Sequence, residues 1–173
     1  MQKEEKIKTQ QIETLNNIIK YLENTLNTNF EEEKKFSDNI NTYGIINYSR
    51  TQYFPQLSSY ITKNEDYKDT FYNYITVESM IVDLFLVIES DLIKSLDTNS
   101  KTDTKRIKKI ITFTIKPLKI LQKILTTKNE YLKQDIDMEE YDKRNTQYTK
   151  ELSNIQNKYY TIIYDEKIDH RIK

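Results

Sequence analysis

The chain has no cysteine, no tryptophan and no alanine, and only one glycine, one histidine and two prolines in 173 residues. Without cysteine there is no disulfide framework, no zinc ribbon or finger and no thiol nucleophile. One glycine and two prolines are too few turn formers for a sheet protein with many tight turns. Few turns mean few, long elements. With 31% charged residues those elements read as amphipathic helices. The missing alanine and tryptophan, beside abundant Asn, Lys, Ile and Tyr, match the codon bias of an A/T-rich genome. Residue abundance therefore carries little functional weight. Residue position does, because codon bias does not select a helix face.

Long apolar runs are also absent. The richest, MIVDLFLVI at 80–88, is broken by Asp83 and falls well short of the ~18 residues of a membrane span. The opening MQKEEKIKTQQ has no apolar stretch of the signal-peptide kind. The expectation is a cytoplasmic protein, not an integral membrane one, folded as a single domain over 1–173.

Hydrophobic spacing divides the chain. In 3–43, Ile12, Leu15, Ile19, Leu22 and Leu26 form a seam at alternating steps of three and four, widened by Ile18. Asn29 is a cap candidate, with Glu31, Glu32 and Glu33 in the turn after it. The segment is one bent helix or two, and Gly44, the only glycine, suits its C-terminal stop. Residues 44–62 hold Pro55 and clustered aromatics and read as a connection, with a short helix after Pro55. In 64–97, Asn64 caps a helix whose Tyr67, Phe71, Tyr74, Ile81, Phe85, Ile88 and Leu92 form a stripe. It is apolar nearly all round between Met80 and Ile88, which marks it as the central helix. Helices follow at 103–128 and 130–166, and the tail from Tyr160 suits helix or strand. The expected fold is all-α: an antiparallel bundle of four to five long helices with coiled-coil-like seams.

The charges balance, 27 basic against 27 acidic, yet residues 101–128 hold nine basic residues and one acid, Asp103. On a helix, Lys101, Lys105, Lys108, Lys109, Lys116, Lys119 and Lys123 fall within roughly 100° of arc. Ile107, Ile110, Ile111, Leu118, Leu121 and Leu125 fall opposite. The pattern keeps its phase across Pro117, which favours a kinked helix over two. Such a face suits phosphates, an acidic protein groove or an anionic membrane. It also suits plain solvation beside the acidic 64–97 helix. Only Arg106 in this segment offers arginine's bidentate base readout. In the connection, Tyr48, Arg50, Tyr53 and Phe54 have the composition of a protein-binding hot spot, or of rings that cover the end of the bundle.

Enzyme patterns are mostly refused. His170 is the only histidine, paired Glu-x-x-His motifs are absent, and no glycine-rich phosphate loop exists. Arg144 lacks the following histidine of HEPN-type nucleases. Glu31, Glu32, Glu33, Glu78 and Asp83 are the candidates for a magnesium-carboxylate nucleotide hydrolase site. Glu78 and Asp83, five apart, miss the Glu-x-x-Glu and Glu-x-x-Asp spacings of all-α nucleotide pyrophosphohydrolases. No cofactor and no resident metal are expected.

The reading is a non-enzymatic interaction protein that blocks or regulates a partner with an acidic or nucleic-acid-binding surface. Inhibitor and immunity-type proteins of phages and mobile elements are its examples. Direct nucleic-acid binding through the lysines is the alternative, and homodimerisation through the 12–26 seam a further expectation.

Overall fold

The computed structural model describes residues 2–27, 35–98 and 104–172, with side chains described over 9–27, 40–94 and 105–163. The elements are α1 (Gln2–Asn27), α2 (Lys35–Tyr48), a π turn (Ser49–Tyr53), α3 (Phe54–Lys63), a 3-10 turn (Glu65–Thr70), α4 (Phe71–Thr98), α5 (Thr104–Leu132) and α6 (Met138–Ile172). The chain is all-α, with no strand among the described residues, and its helices pack on one another. The tail from Tyr160 is helical to Ile172. Asn29 and Glu31 to Glu33, expected to open a helix, lie outside the described residues.

Side-chain contacts give the helix directions. Asp91 pairs with Arg106 at 3.1 Å and Asp69 with Lys128 at 2.8 Å, so α4 and α5 are antiparallel. Glu130 with Arg144 at 2.7 Å, and Thr127 with Tyr148 at 3.1 Å, set α6 antiparallel to α5. Gln122 donates to Asn16, and Lys119 pairs with Glu23, which sets α1 antiparallel to α5 as well. α6 then runs parallel to α4, joined to it by Asn73 with Thr149 at 3.0 Å and by Tyr159 donating to Asp83. Asp83, inside the apolar run, is itself exposed.

The centre is shared between two helices. α5 packs against α1, α4 and α6. The sequence reading places 64–97 alone at the centre. The correction comes from Phe113, Ile115 and Ile120, all buried, which carry the apolar surface of α5 beyond the one face formed by Ile107, Ile111, Leu118 and Leu125. Each aliphatic side chain fully buried there contributes ~1.5–3 kcal/mol. Helix α5 runs through the buried Pro117 as one element. The α1 seam also turns inward: Leu15, Ile18, Ile19 and Leu22 are buried against this core. Ile12 and Leu26, at the two ends of the 12–26 seam, are half-buried.

Residues 44–62 are helical throughout, and α3 is the short helix expected around Pro55. α2 continues through Gly44 to Tyr48, and α3 follows after the π turn. Pro55 explains the wide turn. It has no N–H, and its ring would strike the carbonyl of Thr51 in a regular α-helix. In the wider turn the Phe54 N–H bonds Ser49 O, five residues back. Ser49 Oγ and Thr51 Oγ1 donate to Ile45 O and Asn47 O, each at 2.7 Å. Gly44 is not a stop because α2 already carries helical residues on both sides of it. It is exposed, and a Cβ built there meets nothing within 4 Å. Gly44→Ala is expected to stabilise the protein by ~0.4–1 kcal/mol, mainly by restricting the unfolded chain. The urea midpoint should rise with no change in the m-value.

The other ends follow local chemistry. Asn64 caps its turn, its side chain accepting from the Asp66 N–H at 3.1 Å. α5 ends at Leu132, later than expected, in a Schellman turn: the Asp135 N–H bonds Glu130 O and the Gln134 N–H bonds Tyr131 O. Gln134, at φ 66°, takes the left-handed position there. Asp137 then accepts from the Glu140 N–H at 2.8 Å and opens α6, eight residues later than the expected start at 130.

Candidate functional site

Burial on three sides leaves α5 one narrow exposed edge. Between 105 and 126 its exposed positions are Lys105, Lys109, Thr112, Lys116, Lys119, Lys123 and Thr126. They alternate in steps of four and three, so they stand in single file along ~32 Å of helix. Every one is a lysine or a threonine, and none is an acid. The threonines were not singled out from the sequence, and the neutral side of the apolar pattern is the only signal that placed them. Lys119 pairs with Glu23 of α1 at 3.0 Å, both side chains about half exposed. Among the described residues no carboxylate pairs with Lys105, Lys109, Lys116 or Lys123. Lys108 is half-buried beside the file and engaged in an interaction of its own. Lys101 lies outside the described residues.

The aromatic set does not assemble on the surface. Tyr53 is 1% exposed and its hydroxyl donates to Gln11 O at 2.9 Å. Phe54 is equally buried, and its carbonyl accepts from the Tyr74 hydroxyl at 2.9 Å. Arg50 pairs with the buried Glu89 at 3.0 Å. A binding hot spot would need Tyr48, Arg50 and Tyr53 exposed, and of the three only Tyr48 is. The segment is helical, so successive residues turn to different sides, and the rings that a loop would display enter the core instead.

Where α5 ends, a second polar arrangement ties three helices together. Lys128 is 5% exposed. Its ammonium bonds Asp69 at 2.8 Å and lies 4.7 Å from the Tyr141 ring centroid and 5.5 Å from that of Tyr131. The Tyr141 hydroxyl donates to the other oxygen of Asp69 at 2.9 Å. Burial, with Asp69 adding to it, holds the Tyr141 hydroxyl above its ordinary range. Nearby, Arg144 is held more firmly protonated by Glu140 and Glu130. These groups are mutually satisfied, which suits structure rather than proton transfer.

Among the described residues, no group of three or more His, Cys, Asp or Glu side chains is placed to hold a metal ion. Glu32 and Glu33, the expected partners of Glu78 and Asp83 in a magnesium site, lie outside the described residues, as does the side chain of His170. Open grooves of about 690 Å³, beside Tyr60 and Asn64, and about 730 Å³, between Tyr72 and Asn145, are lined by polar groups without histidine or cysteine. The chain matches no protein-family model, and comparison with curated proteins and with solved structures finds no significant similarity.

Proposed function

We propose that the chain is a non-enzymatic interaction protein and that the lysine file of α5 seats an acidic surface of a partner protein, blocking or regulating it. The observation that supports this reading is the file itself. It is a straight row of five lysines with no acid among its exposed positions, on a helix whose other sides are held by the core. Like charges at helical spacing cost a few tenths of a kcal/mol per pair, and exposed positions accept acids and amides equally well. A row of one sign is therefore more than solvation requires. The row contains neither arginine nor an aromatic ring, the groups that read or stack bases. That favours a protein partner over a nucleic acid.

The test uses a fluorescein-labelled acidic helical peptide, with single- and double-stranded DNA and RNA as competing probes, followed by anisotropy across salt. Wild type is expected to bind the peptide more weakly as salt rises. Replacing Lys105, Lys109, Lys116 and Lys123 by Glu should weaken binding roughly tenfold or more, with the helical CD signal retained. Tighter binding to nucleic acid than to the peptide would transfer the file to the nucleic-acid reading. No binding to any probe at low salt would leave it a solvated edge.

A further inference from the structure

The outer side of α4 carries an apolar seam that no other described element covers. It runs through Tyr72, Ile75, Val82, Leu86 and Ile93, with Ser79 and Ser90 in line between them. Steps of three and four keep these positions on one line of the helix, ~31 Å long. Tyr72 is 75% exposed and Leu86 44% exposed. This is the pattern one helix presents to another. The two serines, about three turns apart, leave shallow gaps for larger side chains.

Charge indicates which kind of helix fits. Residues 69–93 contain Asp69, Glu78, Asp83, Glu89 and Asp91 and no lysine or arginine. Asp69, Glu89 and Asp91 are paired with Lys128, Arg50 and Arg106 from other elements. Glu78 and Asp83 are the two left without a cation among the described residues. Among the described residues Asp83 receives the Tyr159 hydroxyl and no cation, and Glu78 Oε2 is buried with no hydrogen-bond partner. On the helix they stand about 80° and 60° to either side of the seam, near its midpoint. A second copy laid along the seam would bring these acids against their own kind, which is destabilising. Residues Glu65–Lys94 are long and apolar enough to cross a membrane, but two uncompensated carboxylates beside the seam oppose an anionic bilayer.

We propose that this seam docks an amphipathic helix of a partner protein whose apolar face is bordered on both sides by lysine or arginine. The docked helix adds one member to the bundle along α4. The surface is on a different helix from the lysine file, so the inference does not rest on the reading of α5.

The test uses the full chain and two labelled helical peptides of about 22 residues, the length of the seam. Both carry a leucine seam, one bordered by lysine and the other by glutamate. The lysine-bordered peptide is expected to bind at least ~10-fold more tightly, and less so as salt rises. Leu86→Asp with Ile75→Asp, both at exposed positions, should abolish that binding while CD and thermal melting stay near wild type. Glu78→Gln with Asp83→Asn should bring the two peptides close to equal affinity. Equal binding of both peptides by wild type, or binding that survives Leu86→Asp with Ile75→Asp, overturns the proposal. So does a concentration-dependent dimer in sedimentation, or binding to lipid vesicles, that Leu86→Asp removes; these assign the seam to a second copy or to a bilayer.

Discussion

Asp69→Ala is expected to destabilise the protein by ~3 kcal/mol, far more than removal of the cation it pairs with. Breaking a buried ion pair from one side costs ~3–5 kcal/mol because the other charge stays buried. The two partners here are not equally buried. The side chain of Lys128 is 7% exposed and that of Asp69 56% exposed. Loss of the carboxylate leaves an ammonium enclosed by two tyrosine rings, and it also takes the acceptor from the Tyr141 hydroxyl. The half-exposed acid places the cost at the lower end of the range. Lys128→Met leaves Asp69 facing water and still bonded to Tyr141, so it should cost under ~1 kcal/mol. In a chain of this length ~3 kcal/mol lowers the melting temperature by ~6–12 °C. Urea unfolding of the two single variants and the double variant measures the asymmetry. If Asp69→Ala costs no more than Lys128→Met, Lys128 is not held by this carboxylate.

Raising the pH should unfold the protein cooperatively between about pH 10 and 12, as an effect of tyrosines rather than lysines. Tyr53, Tyr67, Tyr74, Tyr141 and Tyr159 all titrate above their ordinary value of 10.0 in the folded chain. Burial is the leading cause at each. Glu78, Asp69 and Asp83 add to it at Tyr74, Tyr141 and Tyr159. A folded value above the unfolded one means that the stabilisation is complete below pH 10.0 and is lost as pH climbs past it. Each such ring lowers the unfolding free energy by up to ~1.4 kcal/mol per pH unit, less at Tyr141 and Tyr159, whose hydroxyls bond the exposed carboxylates of Asp69 and Asp83, so the five together stay below ~7 kcal/mol per unit. A net stability of ~5–15 kcal/mol is then exhausted within about two units. Tyrosinate absorbance and helical CD, followed together, check this. The five buried rings should ionise only as CD is lost. Complete ionisation with CD intact would show that those five rings are accessible to base in the folded state.

Helix periodicity served the long elements well. The α1 seam, the α4 stripe and the two-sided character of α5 are all legible from spacing, because a core-facing side chain every three or four residues leaves a trace that needs no knowledge of the neighbours. The ends were less legible. Gly44 and Pro55 are ordinary helix breakers, yet the chain carries helix across both by widening one turn, a solution that depends on Tyr53 and Phe54 finding a core to enter. The same two rings show why the aromatic set misled: composition does not say whether a tyrosine points at a partner or at Gln11 O. Phe71 belongs by spacing to the α4 stripe, whose other members are buried, and stands 37% exposed, at the turn where the 3-10 segment passes into α4.

The amino-acid order by itself determined the helical class, the inward seams and the one-signed charge of residues 104–128. These are local properties, written in composition and in a period of 3.6 residues. Tertiary structure alone decided how much of each helix stays in water. It reduced a basic face of roughly 100° to a single file of lysines and set Leu15, Ile18, Ile19 and Leu22 of the α1 seam in the core. It also paired Asp69, Glu89 and Asp91 with distant cations while leaving Glu78 and Asp83 without one among the described residues. Those outcomes depend on which helices lie side by side, and the energy that selects neighbours is summed over contacts between residues far apart in the chain. No window of sequence contains that sum.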